Sequence, residues 1–122
     1  MPNLLGIDYG QSKIGLAIAD SETKTAVPFG MVKSNNLFSI IKDIIKSENI
    51  DKIVIGLPLN MSGEKTAQTN ITQEFIEDLK VKTGLEVITE DERLTSVQAN
   101  RLGKDDAVAA MYILQTYIDK HY

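Results

Sequence analysis

Residues 4–20 of this chain read LLGIDYGQSKIGLAIAD, and this stretch decides the fold. The apolar runs at residues 4–7 and 14–20 each predict a strand, because both are short and bounded by polar or glycine residues. Residues 11–13 between them leave room only for a tight turn. We therefore expect the two strands to pair antiparallel as a hairpin, with Asp8 at the carboxyl end of the first strand.

The rest of the chain alternates between strand-like and helix-like periodicity. A third strand is expected within residues 25–33, where Pro28 suits the edge of a sheet better than its centre. The further predicted elements are a helix from residue 36, a strand at 52–57, a helix at 64–83 with Ile71 on its inner face, a strand at 85–89, a short helix at 95–102 and a last helix at 105–118.

An antiparallel meander followed by strand–helix–strand units predicts an α/β fold with a mixed five-stranded sheet and helices on its faces. Right-handed crossovers place the later strands beside the first strand, which becomes central. In such sheets the ligand crevice lies outside the carboxyl ends of the strands. Because the chain has 122 residues and no linker-like stretch, residues 1–122 are expected to form one domain.

The composition excludes several classes of protein. Hydrophobic residues make up 43% and charged residues 25%, so a disordered chain is not expected. The longest apolar stretch, residues 107–114, is too short to cross a membrane, and no secretory signal is predicted. Without cysteine, disulfides and thiolate metal sites are excluded, and a cytoplasmic location is expected. A net charge of −4 gives no general attraction to nucleic acid, so such binding requires a local site or a metal.

Acidic residues fall where the predicted sheet would hold a ligand. They are Asp8 after the central strand, Asp91 and Glu92 after the last strand, and Asp105 and Asp106 at the start of the last helix. Parallel strands would bring the first two groups to one edge, and the last helix would deliver a third carboxylate there. Clustered carboxylates repel each other unless a cation joins them, and Mg²⁺ or Mn²⁺ prefers oxygen ligands. Two such ions about 4 Å apart can support phosphodiester cleavage.

Each acidic group also has an ordinary structural explanation. Asp at residues 105–106 is favourable at a helix start, and residues 91–93 would suit a solvated loop with a surface ion pair. Asp8 is harder to explain, since a charge directly after an apolar strand must be paired, bound to a metal or placed in a turn. A zinc site or a Ser-His triad lacks its parts, because His121 is the one histidine of the chain.

Four stretches of the sequence resemble the YqgF family, Holliday-junction-resolvase-like nucleases of the RNase H fold. They are the hairpin IDYG at 7–10 with KIGLA at 13–17, VIGLPLNMSG at 54–63, DERLTS at 91–96 and DAVAA at 106–110. The resemblance covers nearly the whole chain in order. It implies an RNase H-like sheet and a cytoplasmic nuclease that processes the 5′ end of pre-16S rRNA in ribosome biogenesis.

The resemblance also implies which residues act. The catalytic acids and metal ligands of the family correspond to Asp8, Glu92 and Asp106. The implied cofactor is Mg²⁺ or Mn²⁺. Lys13 and Arg93 are the candidates for phosphate contacts. Backbone amides within residues 56–63 are further candidates, because a strand-to-helix loop can present N–H groups to an anion.

The sequence departs from the family pattern before the last helix. Relatives usually carry a longer stretch there, rich in Lys and Arg, whereas only residues 97–104 follow the DERLTS motif here. Arg101 and Lys104 are the basic residues that remain, and they complete the predicted substrate-binding set. Losing several phosphate contacts weakens binding steeply, because each contributes through counterion release.

Several alternatives stay open at this point. An ATP-binding module of the actin and sugar-kinase type shares the sheet and an Asp-x-Gly hairpin, but it closes two such domains around the nucleotide. A P-loop is disfavoured, since Glu64 separates Gly63 from Lys65 and would repel a phosphate. The alternative functions are a non-enzymatic accessory in RNA processing or transcription and a DNA junction resolvase. The expected partner is nucleic acid, with structured RNA preferred and no membrane, and an exposed Phe38 would permit a homodimer.

Overall fold

Five strands form one mixed sheet in the computed structural model, which describes residues 1–10, 13–91 and 106–122. They are β1 (Leu4–Tyr9), β2 (Lys13–Ala19), β3 (Val27–Lys33), β4 (Lys52–Leu57) and β5 (Glu86–Asp91). Their order is β3-β2-β1-β4-β5, so β1 is central as predicted. β1, β2 and β3 pair antiparallel, whereas β4 runs parallel to both of its neighbours, β1 and β5. The carboxyl ends of β1, β4 and β5 therefore meet at one edge of the sheet.

Helices cover both faces of this sheet, as predicted. Within the described residues they are α1 (Leu37–Ser47), after a 3₁₀ turn at Ser34–Asn36, α2 (Ala67–Thr83) and α3 (Asp106–His121). α1 and α2 share a core with one set of alternate strand residues, which includes Leu5 and Ile7. α3 packs on the opposite face with the other set, which includes Leu4 and Ala17. The helix predicted at 95–102 lies outside the described residues, and no described helix is long and apolar enough to cross a membrane.

Helix α2 begins later than its periodicity predicts, at Ala67 rather than residue 64. Thr66 caps it: its hydroxyl accepts a hydrogen bond from the Thr69 amide, and the Thr69 hydroxyl accepts one from the Thr66 amide. The predicted inner position of Ile71 is wrong, since this side chain is 43% exposed. Thr69 and Thr72 are buried instead, because they lie on the same helical face as Phe75.

Strand β3 lies at the sheet edge, where Pro28 does not interrupt a central ladder. Phe38, on α1, is partly buried against the core rather than exposed. Its ring contacts Phe75, and the Lys82 ammonium lies 3.9 Å from its centroid. The prediction that Phe38 is exposed, and so available for a homodimer contact, is therefore wrong, because α2 covers this ring.

Candidate active site

Asp8 lies near the carboxyl end of β1, on the face that α3 covers. Side chains alternate along a strand, and Ile7 belongs to the core beneath α1 and α2. Asp8 therefore faces the opposite side, where Leu4 packs against α3. Burial, followed by the negative charge of Asp106, raises the pKa of the Asp8 carboxyl from its usual 3.8 to about 6. An acid with a pKa raised this way is typical of a functional site.

Asp106 is the first residue of α3, and the first turn of this helix lies directly over β2. The Asp106 backbone carbonyl contacts the position where Gly15 lacks a side chain. Gly15 is the partner of Asp8 across the β1–β2 pair. Two carboxylates that are 98 positions apart in the sequence are thus brought to one place by one hairpin and one helix start.

The chemistry of this pair suits a divalent cation. Asp8 and Asp106 repel each other at a partly desolvated site, and a cation that binds both removes the repulsion. The ion pairs between described residues join Lys52 to Glu86, Lys80 to Glu77 and Lys120 to Glu90, so none of them neutralises Asp8 or Asp106. Oxygen ligands of this kind are those that Mg²⁺ and Mn²⁺ prefer. In the described residues the acids come as a pair, not as a cluster of three.

Two lysines lie on the β2–β3 side of Asp8, where the strands pair antiparallel. Lys13 begins β2, two residues before Gly15 and on the same face, and its side chain is exposed. Lys33, the last residue of β3, lies directly opposite Lys13 and is also exposed. Like charges in directly opposite positions destabilise a sheet unless an anion is bound between them. Sequence reasoning found Lys13 but missed Lys33, because the register of β3 was not defined by its pattern.

Residues 2–120 of the chain match the family model described as RuvX: Holliday junction resolvase. The chain belongs to the RuvX family. The motifs that resembled YqgF nucleases indicated the same family, so that expectation is confirmed.

Curated relatives of this RuvX-family chain match over nearly all of it. A protein of Sulfurihydrogenibium sp. (strain YO3AOP1) is 40% identical, over 98% of this chain and 92% of its own length. One of Endomicrobium trichonymphae is 41% identical, over 98% and 96% respectively. Both carry the name "Putative pre-16S rRNA nuclease". Their alignments span 133 and 136 positions, which is longer than the 122 residues here, so these relatives contain insertions that this RuvX chain lacks.

Two of the solved structures that match this chain are resolvases. RuvC of T. thermophilus in complex with a Holliday junction substrate superposes with a TM-score of 0.65 at 11% identity, covering 98% of this chain and 95% of RuvC. A Fowlpox virus resolvase bound to Holliday junction DNA gives a TM-score of 0.58 at 16% identity, covering 97% of both chains. At these identities the likeness establishes the RNase H-like fold of the RuvX chain.

The loop after β4 uses several of its backbone amides in hydrogen bonds of its own. The Asn60 side-chain oxygen accepts hydrogen bonds from the Ser62 and Glu64 amides, and the Asn60 carbonyl accepts one from Gly63. These three N–H groups are already bonded within the loop. The Ser62 and Gly63 amides are therefore not free to contact a phosphate, and the expectation for the other amides of residues 56–63 stays a prediction.

Glu90 is a buried acid that sequence reasoning did not single out. It is 6% exposed, and Lys120 of α3 donates a 2.6 Å hydrogen bond to its carboxylate. Its strand partner is Gly56, one residue beyond the Ile55 that pairs with Ile7. Strand alternation could have revealed this burial, because Ile88 and Glu90 fall on the same face. Since Lys120 neutralises it, Glu90 is a structural partner of α3.

Four of the predicted site residues, Glu92, Arg93, Arg101 and Lys104, lie outside the described residues, and their roles stay predictions. Asp91, the residue before Glu92, ends β5 opposite Leu57 of β4. The strand that leads to Glu92 therefore finishes at the sheet edge where Asp8 lies. This is the edge that the parallel topology predicts.

Proposed function

We propose that this RuvX-family protein is a metal-dependent endonuclease that hydrolyses phosphodiester bonds and processes the 5′ end of pre-16S rRNA. The observation that carries the proposal is the pair formed by Asp8 and Asp106 at the carboxyl end of the central strand. This pair is desolvated enough to raise the pKa of Asp8 to about 6, and no cation among the described residues neutralises it. The names of the curated relatives support the substrate.

The acidic residues of the chain would hold the metal. Asp8 and Asp106, together with the predicted ligand Glu92, would hold Mg²⁺ or Mn²⁺. Such ions supply activation of the attacking water and stabilisation of the leaving oxygen. The partial burial of Asp8 strengthens this binding, because electrostatic attraction is less screened away from bulk water.

Basic residues would hold the phosphates of the substrate beside the acids. Lys13 and Lys33 form an exposed pair of positive charges on the hairpin side, and Arg93, Arg101 and Lys104 are predicted to add further contacts. A local cluster is needed because the net charge of −4 repels nucleic acid elsewhere on the molecule.

A DNA junction resolvase is the second candidate, because the matching family model carries that description. The two candidates share the acidic site and differ in substrate. The relatives at about 40% identity are named for RNA processing, which favours RNA. A cytoplasmic location follows from a pre-rRNA substrate. A homodimer stays a prediction, which sedimentation at increasing protein concentration measures.

The proposal is tested by incubating the protein with a precursor 16S transcript and, separately, with a four-way DNA junction, each with Mg²⁺, with Mn²⁺ and with a chelator. We expect divalent-dependent cleavage of the transcript and loss of at least a hundredfold in rate for Asp8→Asn, because a carboxylate that would hold the metal is removed. Preferential cleavage of the DNA junction would support the second candidate. Equal rates for Asp8→Asn and the parent protein would exclude the role assigned to Asp8.

A further inference from the structure

We propose that Gly15 is a positioning residue for the nuclease site: the absence of a side chain at this position lets the first turn of α3 bring Asp106 to Asp8. The inference rests on the function proposed above. Gly15 lies opposite Asp8 in the hairpin and faces α3. A Cβ at this position would overlap the carbonyl group of Asp106 and lie 2.9 Å from the Ala107 amide nitrogen. These are backbone atoms, so no side-chain rotation can relieve the overlap.

The requirement for glycine here is steric, not conformational. The glycines with positive φ in the described residues are Gly30, Gly63 and Gly84, and Gly15 is not among them. Its backbone is ordinary extended strand that alanine can adopt. A substitution at Gly15 would therefore act by filling the space between β2 and the first turn of α3.

A second glycine on the same face, Gly6, contacts the middle of α3. A Cβ on Gly6 would lie 2.8 Å from the Cβ of Leu114 and 3.0 Å from the carbonyl oxygen of Ala110. Gly6 thus sets the distance of the middle of α3 from β1. Gly15 contacts the turn that carries the acid, and its contact is closer. Gly15, rather than Gly6, therefore determines where Asp106 lies.

A methyl group at position 15 would push the first turn of α3 away from β2. The Asp106 carboxylate would move away from Asp8, while the rest of the helix stays anchored by its buried face, which includes Ile113 and Leu114. A displacement of about 1 Å at a catalytic site can cost about a hundredfold in rate. We expect Gly15→Ala to weaken Mn²⁺ binding at least tenfold.

The experiment is a calorimetric titration of Mn²⁺ into the parent protein, Gly15→Ala and the control Leu16→Val. Leu16 is the next residue of β2, 1% exposed, and it faces the core beneath α1 and α2. Its truncation therefore lowers stability without touching α3. We expect Leu16→Val to bind Mn²⁺ within about twofold of the parent, and circular dichroism to report the same fold for all three proteins.

Rescue by a longer acid separates positioning from general destabilisation. In Gly15→Ala, adding Asp106→Glu extends the carboxylate by one methylene towards Asp8 and should restore part of the Mn²⁺ affinity. In the parent background, Asp106→Glu should weaken Mn²⁺ binding, because the longer side chain moves the carboxylate beyond the position it normally occupies. A loss caused by poor folding would not be restored by a methylene at position 106.

The titrations distinguish failure of this inference from failure of the proposed function. If the parent binds Mn²⁺ and Gly15→Ala binds it equally well, the inference is overturned and the proposed function stands. If the parent neither binds Mn²⁺ nor cleaves, the proposed function fails and the inference falls with it. Should Gly15→Ala not fold, the variant Gly15→Ala/Ala107→Gly is titrated beside Ala107→Gly alone, and equal Mn²⁺ affinity of these two proteins overturns the inference.

Discussion

Asp106, at the start of α3, places a negative charge beside Asp8, at the end of β1, and raises the pKa of a carboxyl that burial has already perturbed. The folded protein therefore brings two acids together at a cost that the unfolded chain does not have. A proton, a neutral substitution or a divalent cation would each relieve that cost. The resulting changes in stability are measurable without any substrate.

Asp8→Asn should stabilise the protein at neutral pH. The pKa of Asp8 is about 6 in the folded state and 3.8 when unperturbed, so the folded state binds more protons between these values. Stability attributable to this group is then lost as the pH rises from about 4 to 6, and stays low above that. Replacing Asp8 should raise the free energy of unfolding by on the order of 2 kcal/mol at pH 8 and by little at pH 4. Urea unfolding at both pH values measures this.

The control is Asp43→Asn, which removes an exposed acid on α1. We expect no comparable pH-dependent gain from it. A stability gain for Asp8→Asn that is the same at pH 4 and pH 8 would contradict the raised pKa of Asp8.

Divalent cations should raise the melting temperature of the parent protein. A ligand at a hundred times its dissociation constant stabilises the folded state by about 2.7 kcal/mol, which corresponds to about 10 °C for a chain of this size. The shift should be smaller at pH 5 than at pH 8, because protons occupy Asp8 below its pKa of about 6. Thermal unfolding with Mg²⁺ and with a chelator provides the measurement. Asp8→Asn and Asp106→Asn should each lose most of the shift, and retention of the full shift in both would argue against a metal at this pair.

The sequence predicted the sheet well because the hairpin at its centre is specified locally. Residues 4–20 contain two apolar runs and a turn, so strand pairing needed no distant information. The placement of Asp8 followed from the same pattern. Burial on α2 was harder to predict: hydrophobicity alone favoured Ile71, whereas the buried face continues from Phe75 through Thr72 and Thr69.

The roles of Lys33 and Gly15 could not be predicted from the sequence, because they depend on contacts between distant segments of the chain. Lys33 became a candidate only when the register placed it opposite Lys13. The role of Gly15 depends on a helix start 91 positions later in the chain. Periodicity reports which face of an element is apolar, but it does not report which residue of another element lies above it.

Lys13 and Lys33 should each contribute to nucleic-acid binding through phosphates. Each phosphate contact that is removed lowers the magnitude of the salt dependence of log K by about 0.7 to 0.9. We expect Lys33→Ala in the Asp8→Asn background to weaken binding of the precursor transcript and to reduce the slope by about one contact. Fluorescence anisotropy at several salt concentrations measures both quantities. Lys46→Ala, an exposed lysine on α1, is the matched control and should change neither. An unchanged slope for Lys33→Ala would remove Lys33 from the binding surface.

The Glu90–Lys120 ion pair should stabilise the attachment of α3 more than an exposed pair would. Lys120→Met leaves a carboxylate that is 6% exposed without its partner, which costs about 1–3 kcal/mol. The double variant Glu90→Gln/Lys120→Met should recover part of that loss, because the uncompensated charge is gone. Chemical unfolding of both single variants and the double variant gives the coupling energy. The exposed pair between Lys80 and Glu77 is the control, and Lys80→Met should cost less than about 0.5 kcal/mol. Equal losses for the two lysine variants would mean that burial of Glu90 contributes nothing to holding the helix on β5.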